Sequence, residues 1–183
     1  YEDLSKTEER YEFVAPNYDY RNKLSISEEL GTLNFQSRGY YKNYETNKKQ
    51  TKLVNDFHWK SNDYINNSGI ITKFEGNLKN SNYRSENTSD HKNDKNNIEL
   101  MGAVSLLSSL PLEKRSENYK KTLTPKLMLR TAPGHMRNMS NDSLKLGMSN
   151  LYSLNKLSAI GTIETGTSLT LGTDYNYKDK NDF

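Results

Sequence analysis

The chain has 183 residues, enough for one folded domain, yet only 32% of them are hydrophobic and the mean hydropathy is −0.99. No run approaches the roughly 18 apolar residues of a transmembrane helix. The net charge of +3, with lysines and acids interspersed, describes a solvated mixed-charge surface and excludes a nucleic-acid footprint as the leading reading.

Cysteine is absent, so this stretch holds no disulfide and no thiolate metal site. The 13 tyrosines argue against plain disorder, because disordered chains are poor in aromatics. One ordered class keeps hydropathy this low: in a membrane barrel only every second strand residue meets lipid.

In chain order, "SKTEERYEF" at 5–13 places Ser5 and Glu8 at capping-box spacing, but only Leu4 and Tyr11 offer an apolar stripe, so no stable helix is expected. The first residue is Tyr1, with no charged or apolar leader after it, and the chain reads as an internal piece of a longer protein. Alternation then recurs. The first strand is expected over 10–24 (Tyr11, Phe13, Tyr18, Tyr20), with Pro16 forcing a bulge or break. "SISEEL" at 25–30 reads as a turn. The second strand, 31–41, sets Leu33, Phe35 and Tyr41 on one face. The third, 51–60, opposes Leu53, Phe57 and Trp59 to Asp56, His58 and Lys60.

The fourth, 69–80, is weaker, with Ile70, Phe74 and Leu78 aligned. The fifth, 97–110, aligns Ile98, Leu100, Val104, Leu106 and Leu110 but breaks the pattern at Met101, Ala103 and Leu107. The sixth, 119–131, opposes Leu123, Pro125, Leu127 and Leu129 to Thr122, Thr124, Lys126 and Arg130. The seventh, 166–179, opposes Leu169, Leu171, Thr173, Tyr175 and Tyr177 to Ser168, Thr170, Gly172, Asp174 and Asn176.

Strands of about ten residues cross a bilayer at a tilt, whereas soluble strands cluster near five or six. The expected fold is therefore all-β: residues 1–183 form one segment of a transmembrane β-barrel, with antiparallel strands. Spacers near 25–30, 61–68 and 111–118 are short. Those near 42–50, 81–96 and 132–165 are expected to be longer, outer loops, with a possible extra short strand inside 143–152. Seven is an odd strand number for a closed bacterial barrel, which again points to a part of a larger one.

Motifs of chemistry are missing. His58, His91 and His135 stand far apart, and "SDHKND" at 89–94 reads as a solvated loop. Glu8–Glu9 and Glu28–Glu29 are neighbours in sequence only, and no phosphate loop or nucleophile elbow occurs. Asn-x-Ser/Thr triplets at Asn66, Asn87, Asn138 and Asn141 fit chance in so Asn-rich a chain. No catalytic residue, metal ligand or cofactor is expected.

The stretch 150–172, "NLYSLNKLSAIGTIETGTSLTLG", resembles the barrel domain of the LPS-assembly outer-membrane proteins, the LptD or organic solvent tolerance family. Asn150, Leu151, Ser153, Asn155, Ser158, Glu164 and Gly166 match that family's loop pattern; Tyr152 stands for its aromatic and Lys156 for its arginine. Gly161 and Thr162 replace an Asp-Arg pair. The segment 109–134, with its Leu-x-Pro strand, and "NDFHW" at 55–59 are similar to further parts of the same domain.

The resemblance implies a very large outer-membrane β-barrel that takes lipopolysaccharide from periplasmic bridge proteins and delivers it to the outer leaflet, with a plug lipoprotein in its lumen. It implies transport without catalysis. Lys126 and Arg130 would then point into the lumen, either toward lipopolysaccharide phosphates or toward lumen acids and the plug. A porin or adhesin barrel, or a soluble glycan-binding β-sandwich, would share the alternation without the 150–172 pattern.

Overall fold

The computed structural model describes residues 13–27, 29–44, 48–87, 96–134, 146–156 and 161–179. They form one nine-stranded antiparallel sheet, with no helix among them. The strands are β1 (Phe13–Ser27), β2 (Gly31–Tyr44), β3 (Lys48–Lys60), β4 (Tyr64–Ile65), β5 (Ile71–Glu86), β6 (Asn97–Ser109), β7 (Leu112–Arg115), β8 (Tyr119–Ala132) and β9 (Gly166–Asp179). The seven long ones pair as a meander, each with its successor in the series β1, β2, β3, β5, β6, β8, β9.

The short strands prolong long ones. Beyond Lys60, the Ser61 N–H donates to the Phe74 carbonyl at 2.9 Å, and Tyr64 of β4 pairs with Thr72. Beyond Ser109, the Leu110 N–H donates to the Pro125 carbonyl at 3.1 Å, and Leu112 of β7 pairs with Leu123. The seven expected strands are thus all present, but the long ones run 13 to 16 residues instead of about ten. Spacers 61–68 and 111–118 contain β4 and β7, and only residues 45–47 separate β2 from β3, against the longer loop expected at 42–50. No strand forms in the described part of 143–152, which is turn from Met148 to Tyr152. The register of β1 shifts between Val14 and Asn17, at Pro16, as the missing N–H requires.

Tight turns gather at one end of the sheet. Gly31 opens β2 with φ +87°, and a Cβ there would run into the Lys60 carbonyl, so only glycine fits. Asn66 builds the next turn: its Oδ1 accepts from the Ser68 and Ile70 N–H groups at 3.0 and 2.9 Å. β5 ends, β6 begins, β8 ends and β9 begins at the opposite end.

Registered neighbours share a face, and the two faces differ sharply in chemistry. One carries Leu33, Phe35, Phe57, Phe74, Leu106, Leu129, Leu169 and Leu171, placed opposite one another in the series Phe35–Phe57–Leu78 and Phe74–Leu106–Leu129–Leu169. This apolar face is open: Leu100, Leu171 and Tyr175 are 70, 66 and 62% exposed. Its polar members satisfy one another. Ser37 Oγ donates to Asn55 Oδ1 at 2.8 Å, and Asn80 Oδ1 accepts from Asn55 and Asn82.

The buried hydrophobic cluster lies instead on the polar face. Ala103 and Ala132 pack there against Leu154 and Ile163 of the β8–β9 loop, with Met101 alongside. That explains the breaks in alternation at Met101 and Ala103: these side chains face a loop, not water. A soluble sheet buries its apolar face and wets its polar one; here the arrangement is reversed.

Candidate functional site

The site is built by the loop between β8 and β9 folding back onto the polar face of the sheet. Asn150 organises its near part. Its Oδ1 accepts from the Gly147 N–H at 2.8 Å, its N–H donates to the Gly147 carbonyl, and its carbonyl accepts from Ser153 N–H. Leu151 is half-buried beside it, and Leu154 and Ile163 drop into the apolar cluster. Burying two such side chains contributes on the order of 1.5–3 kcal/mol each.

Arg130 fastens the loop. It lies on the polar face, as its place in the alternation implies, and only 3% of it is exposed. Its Nε donates to the Leu154 carbonyl and its Nη2 to the Glu164 carbonyl, so one guanidinium ties together two points ten residues apart in the loop. Asn155 adds a second cross-tie, donating from Nδ2 to the Thr162 carbonyl at 3.4 Å. Lys156, 6% exposed, reaches β9 and donates to Ser168 Oγ at 3.1 Å. Gly166 starts β9 with φ +111°.

Lys126, four residues back on the same face, is ion-paired with Asp174. Its Nζ also lies 5.5 Å from the centre of the Tyr152 ring. The Tyr152 hydroxyl sits against Gly172, where any Cβ would displace it. Of the residues singled out in 150–166, Ser158 lies outside the described residues; Tyr152, Lys156 and Glu164 contact β8 or β9, and Asn150 and Ser153 bond within the loop. At the departure from the family pattern, Gly161 lies against the Lys52 side chain and Thr162 Oγ1 contacts Met101 Sδ at 3.7 Å.

Beside this seat, a cavity of about 590 Å³ opens between residues 152–155 of the loop and the polar face of β2, β3 and β5. Its floor is charged and cross-linked. Lys79, 3% exposed, pairs with Asp56 at 3.0 Å, and Asn77 Nδ2 donates to the same carboxylate. His58 Nε2 lies 3.3 Å from Glu75 Oε2, and Lys60 pairs with the same acid at 3.6 Å. Among the described residues no cluster of three or more acids and histidines is placed to hold a metal. His91 and His135 lie outside the described residues.

Sequence reading did not single out Arg38, Asn77, Lys79 or Gly172. Their signal was weak: each is an ordinary polar or small residue at an alternating position. Val54 and Met128, apolar residues that are 1 and 2% exposed on the polar face, were the available hint that something covers it.

A long-stranded antiparallel sheet, apolar and open on one side, polar and covered by its own loop on the other, defines the class as an amphipathic β-meander wall. A family model described as LPS transport system D, LptD, matches residues 9–183. The chain belongs to the LptD family. No curated protein and no solved structure matches it.

Proposed function

We propose that this chain is part of the wall of an outer-membrane β-barrel that delivers lipopolysaccharide to the outer leaflet, moving it without covalent chemistry. Membership in the LptD family over residues 9–183 carries the reading. The inverted faces support it: the open leucines and phenylalanines suit hydrocarbon, and the polar face suits a lumen through which a saccharide passes. Strand length also fits. A 14-residue strand such as β9 spans about 46 Å at roughly 3.3 Å per residue, or about 35 Å of depth at a 40° tilt, more than an apolar band of about 25 Å.

In this reading the β8–β9 loop enters the lumen from the outer side, and the tight turns face the periplasm. Tyr177, stacked on Tyr119 at 6.1 Å with Lys121 over both rings, then lies at the periplasmic interface, where aromatic rings with polar tips prefer to sit. Periplasmic bridge proteins and a plug lipoprotein are the partners that the family reading supplies. The test is depletion of the full-length protein in its bacterium, with newly made lipopolysaccharide labelled at the cell surface by an impermeant reagent. Surface arrival should stop while synthesis continues; undiminished arrival would overturn the proposal.

A further inference from the structure

Where β7, β8 and β9 reach the tight-turn end of the sheet, two lysines meet without an acid between them. Lys114 stands directly opposite Lys121, and like charges in registered positions repel. Both lie on the open apolar face. Leu112 and Leu123, opposite each other one outward position further into the wall, are 48 and 40% exposed there. Neither lysine makes an ion pair among the described residues. Glu113 belongs to the other face and pairs with Lys120 at 2.7 Å. Lys121 Nζ lies instead over two rings, 4.7 Å from the centre of Tyr119 and 5.6 Å from that of Tyr177. The rings hold the ammonium in place without neutralising it.

The chemistry of this corner changes over one pleat, about 7 Å along the strands. Leu112, Leu123 and Tyr175 form one registered, open row, and Lys114, Lys121 and Tyr177 form the next. An apolar platform that gives way within one pleat to two cations and an aromatic rim fits a molecule with hydrocarbon at one end and a negative group at the other. We infer that this corner binds an anionic phospholipid of the periplasmic leaflet. Its phosphodiester bridges Lys114 and Lys121, and its acyl chains lie on Leu112, Leu123 and Tyr175. One anion between the two ammonium groups relieves their repulsion. A zwitterionic headgroup does so less well, because its own amine brings a third cation to the same place. An acidic protein surface would match the lysines and leave the leucines beside them without cover. The row behind, on the polar face, is also basic, with Arg115, Lys120 and Lys178 in register. Its neighbours there are Thr122 and Asn176, which offer acyl chains no seat.

The site rests on the lipid-facing, periplasmic reading proposed above, and the two fail separately. Full-length protein is released from nanodiscs holding equal amounts of phosphatidylglycerol and phosphatidylethanolamine with the same chains. Native mass spectrometry then counts the lipids it retains. Wild type should retain phosphatidylglycerol over phosphatidylethanolamine by about tenfold or more, each lysine at headgroup level contributing about fivefold. Lys114→Gln combined with Lys121→Gln should lower that ratio by about tenfold. Lys114→Arg combined with Lys121→Arg, which keeps both charges, should preserve it. Arg115→Gln combined with Lys178→Gln removes the same charge from the polar face and should leave the ratio unchanged.

Heat-modifiable gel mobility confirms that each variant is folded. Wild-type protein without a preference overturns the inference. So does a fall of less than about threefold in the double Lys→Gln variant, or an equal fall in the polar-face variant. Lipopolysaccharide added to the nanodiscs and retained in place of phosphatidylglycerol, in a manner that needs Lys114 and Lys121, assigns the corner to lipopolysaccharide and also overturns it. Release of a co-purifying protein by the double Lys→Gln variant, with the lipid ratio intact, assigns the lysines to that protein, with the same result. In each of these cases surface delivery, measured by depletion, still judges the proposed function on its own. Undiminished delivery beside an intact lipid preference removes that function and leaves the lipid site standing.

Discussion

Replacing Arg130 with methionine tests whether one side chain holds the β8–β9 loop on the sheet. Methionine keeps an unbranched apolar stem but removes both donors to the Leu154 and Glu164 carbonyls. Hydrogen bonds from a charged group contribute about 1.5–3 kcal/mol each, so the two together approach about 3–6 kcal/mol. Removing the guanidinium also removes the cost of burying it at 3% exposure, an offset of several kcal/mol at most. The net loss should be about 2–3 kcal/mol, felt by loop seating more than by the strands, whose ladders are untouched. At 1.4 kcal/mol per factor of ten, seating weakens by about 30- to 150-fold.

Hydrogen exchange of the full-length protein reads this directly. Amides in 150–156 and 161–166 should exchange faster by about that factor, while those of β2 and β3 keep their wild-type protection. Arg130→Lys should lie between, since a lysine can reach one carbonyl but not fork to two. A change below about threefold in the loop would refute the anchoring argument. Equal loss across the strands would show instead that Arg130 supports the wall.

Two further predictions bear on the same geometry. Gly172→Val should push the Tyr152 hydroxyl off β9, costing about 1–3 kcal/mol of loop seating by exchange, and adding Tyr152→Ala should recover part of that loss; no recovery would refute the contact. In a folding titration into bilayers, Leu127→Arg should cost about 2–4 kcal/mol and Thr124→Arg, on the opposite face, much less; equal costs would refute the assignment of faces.

Alternation made most of the wall legible. The bounds of β9 follow from it directly, because Gly166 and the charged run after Tyr177 bracket an uninterrupted pattern. It failed where both faces of a strand are polar. From Asn80 to Glu86, β5 shows Asn80, Asn82 and Arg84 on one side and Ser81 and Ser85 on the other, so no period of two in hydrophobicity exists to be read. The strand continues there because its backbone pairs with β3 residue by residue, from Lys49–Glu86 to Lys60–Glu75. Pairing is a tertiary fact, and a single sequence does not display it. The same reason hid β4 and β7, which are held by β5 and β8 and not by any pattern of their own.

The loop was legible in the opposite way, as a motif without a place. The residues of 150–166 have no periodicity, so nothing in their spacing says what they touch. Their seat is specified from the other side of the contact. Met101, Ala103, Met128 and Ala132 are apolar where alternation demands polar side chains, and in water each would be a small error of patterning. Three of these four errors meet the loop: Ala103 and Ala132 pack with Leu154 and Ile163, and Met101 lies alongside. A wall whose polar face carries such a patch has a surface that water serves poorly and a loop of matching chemistry serves well. Arg130 stands next to that patch with donors that no neighbouring strand takes up, and the loop carbonyls complete it. The loop is therefore part of how this sheet resolves its own sequence, and the cavity beside it exists because the loop, once seated, walls one side.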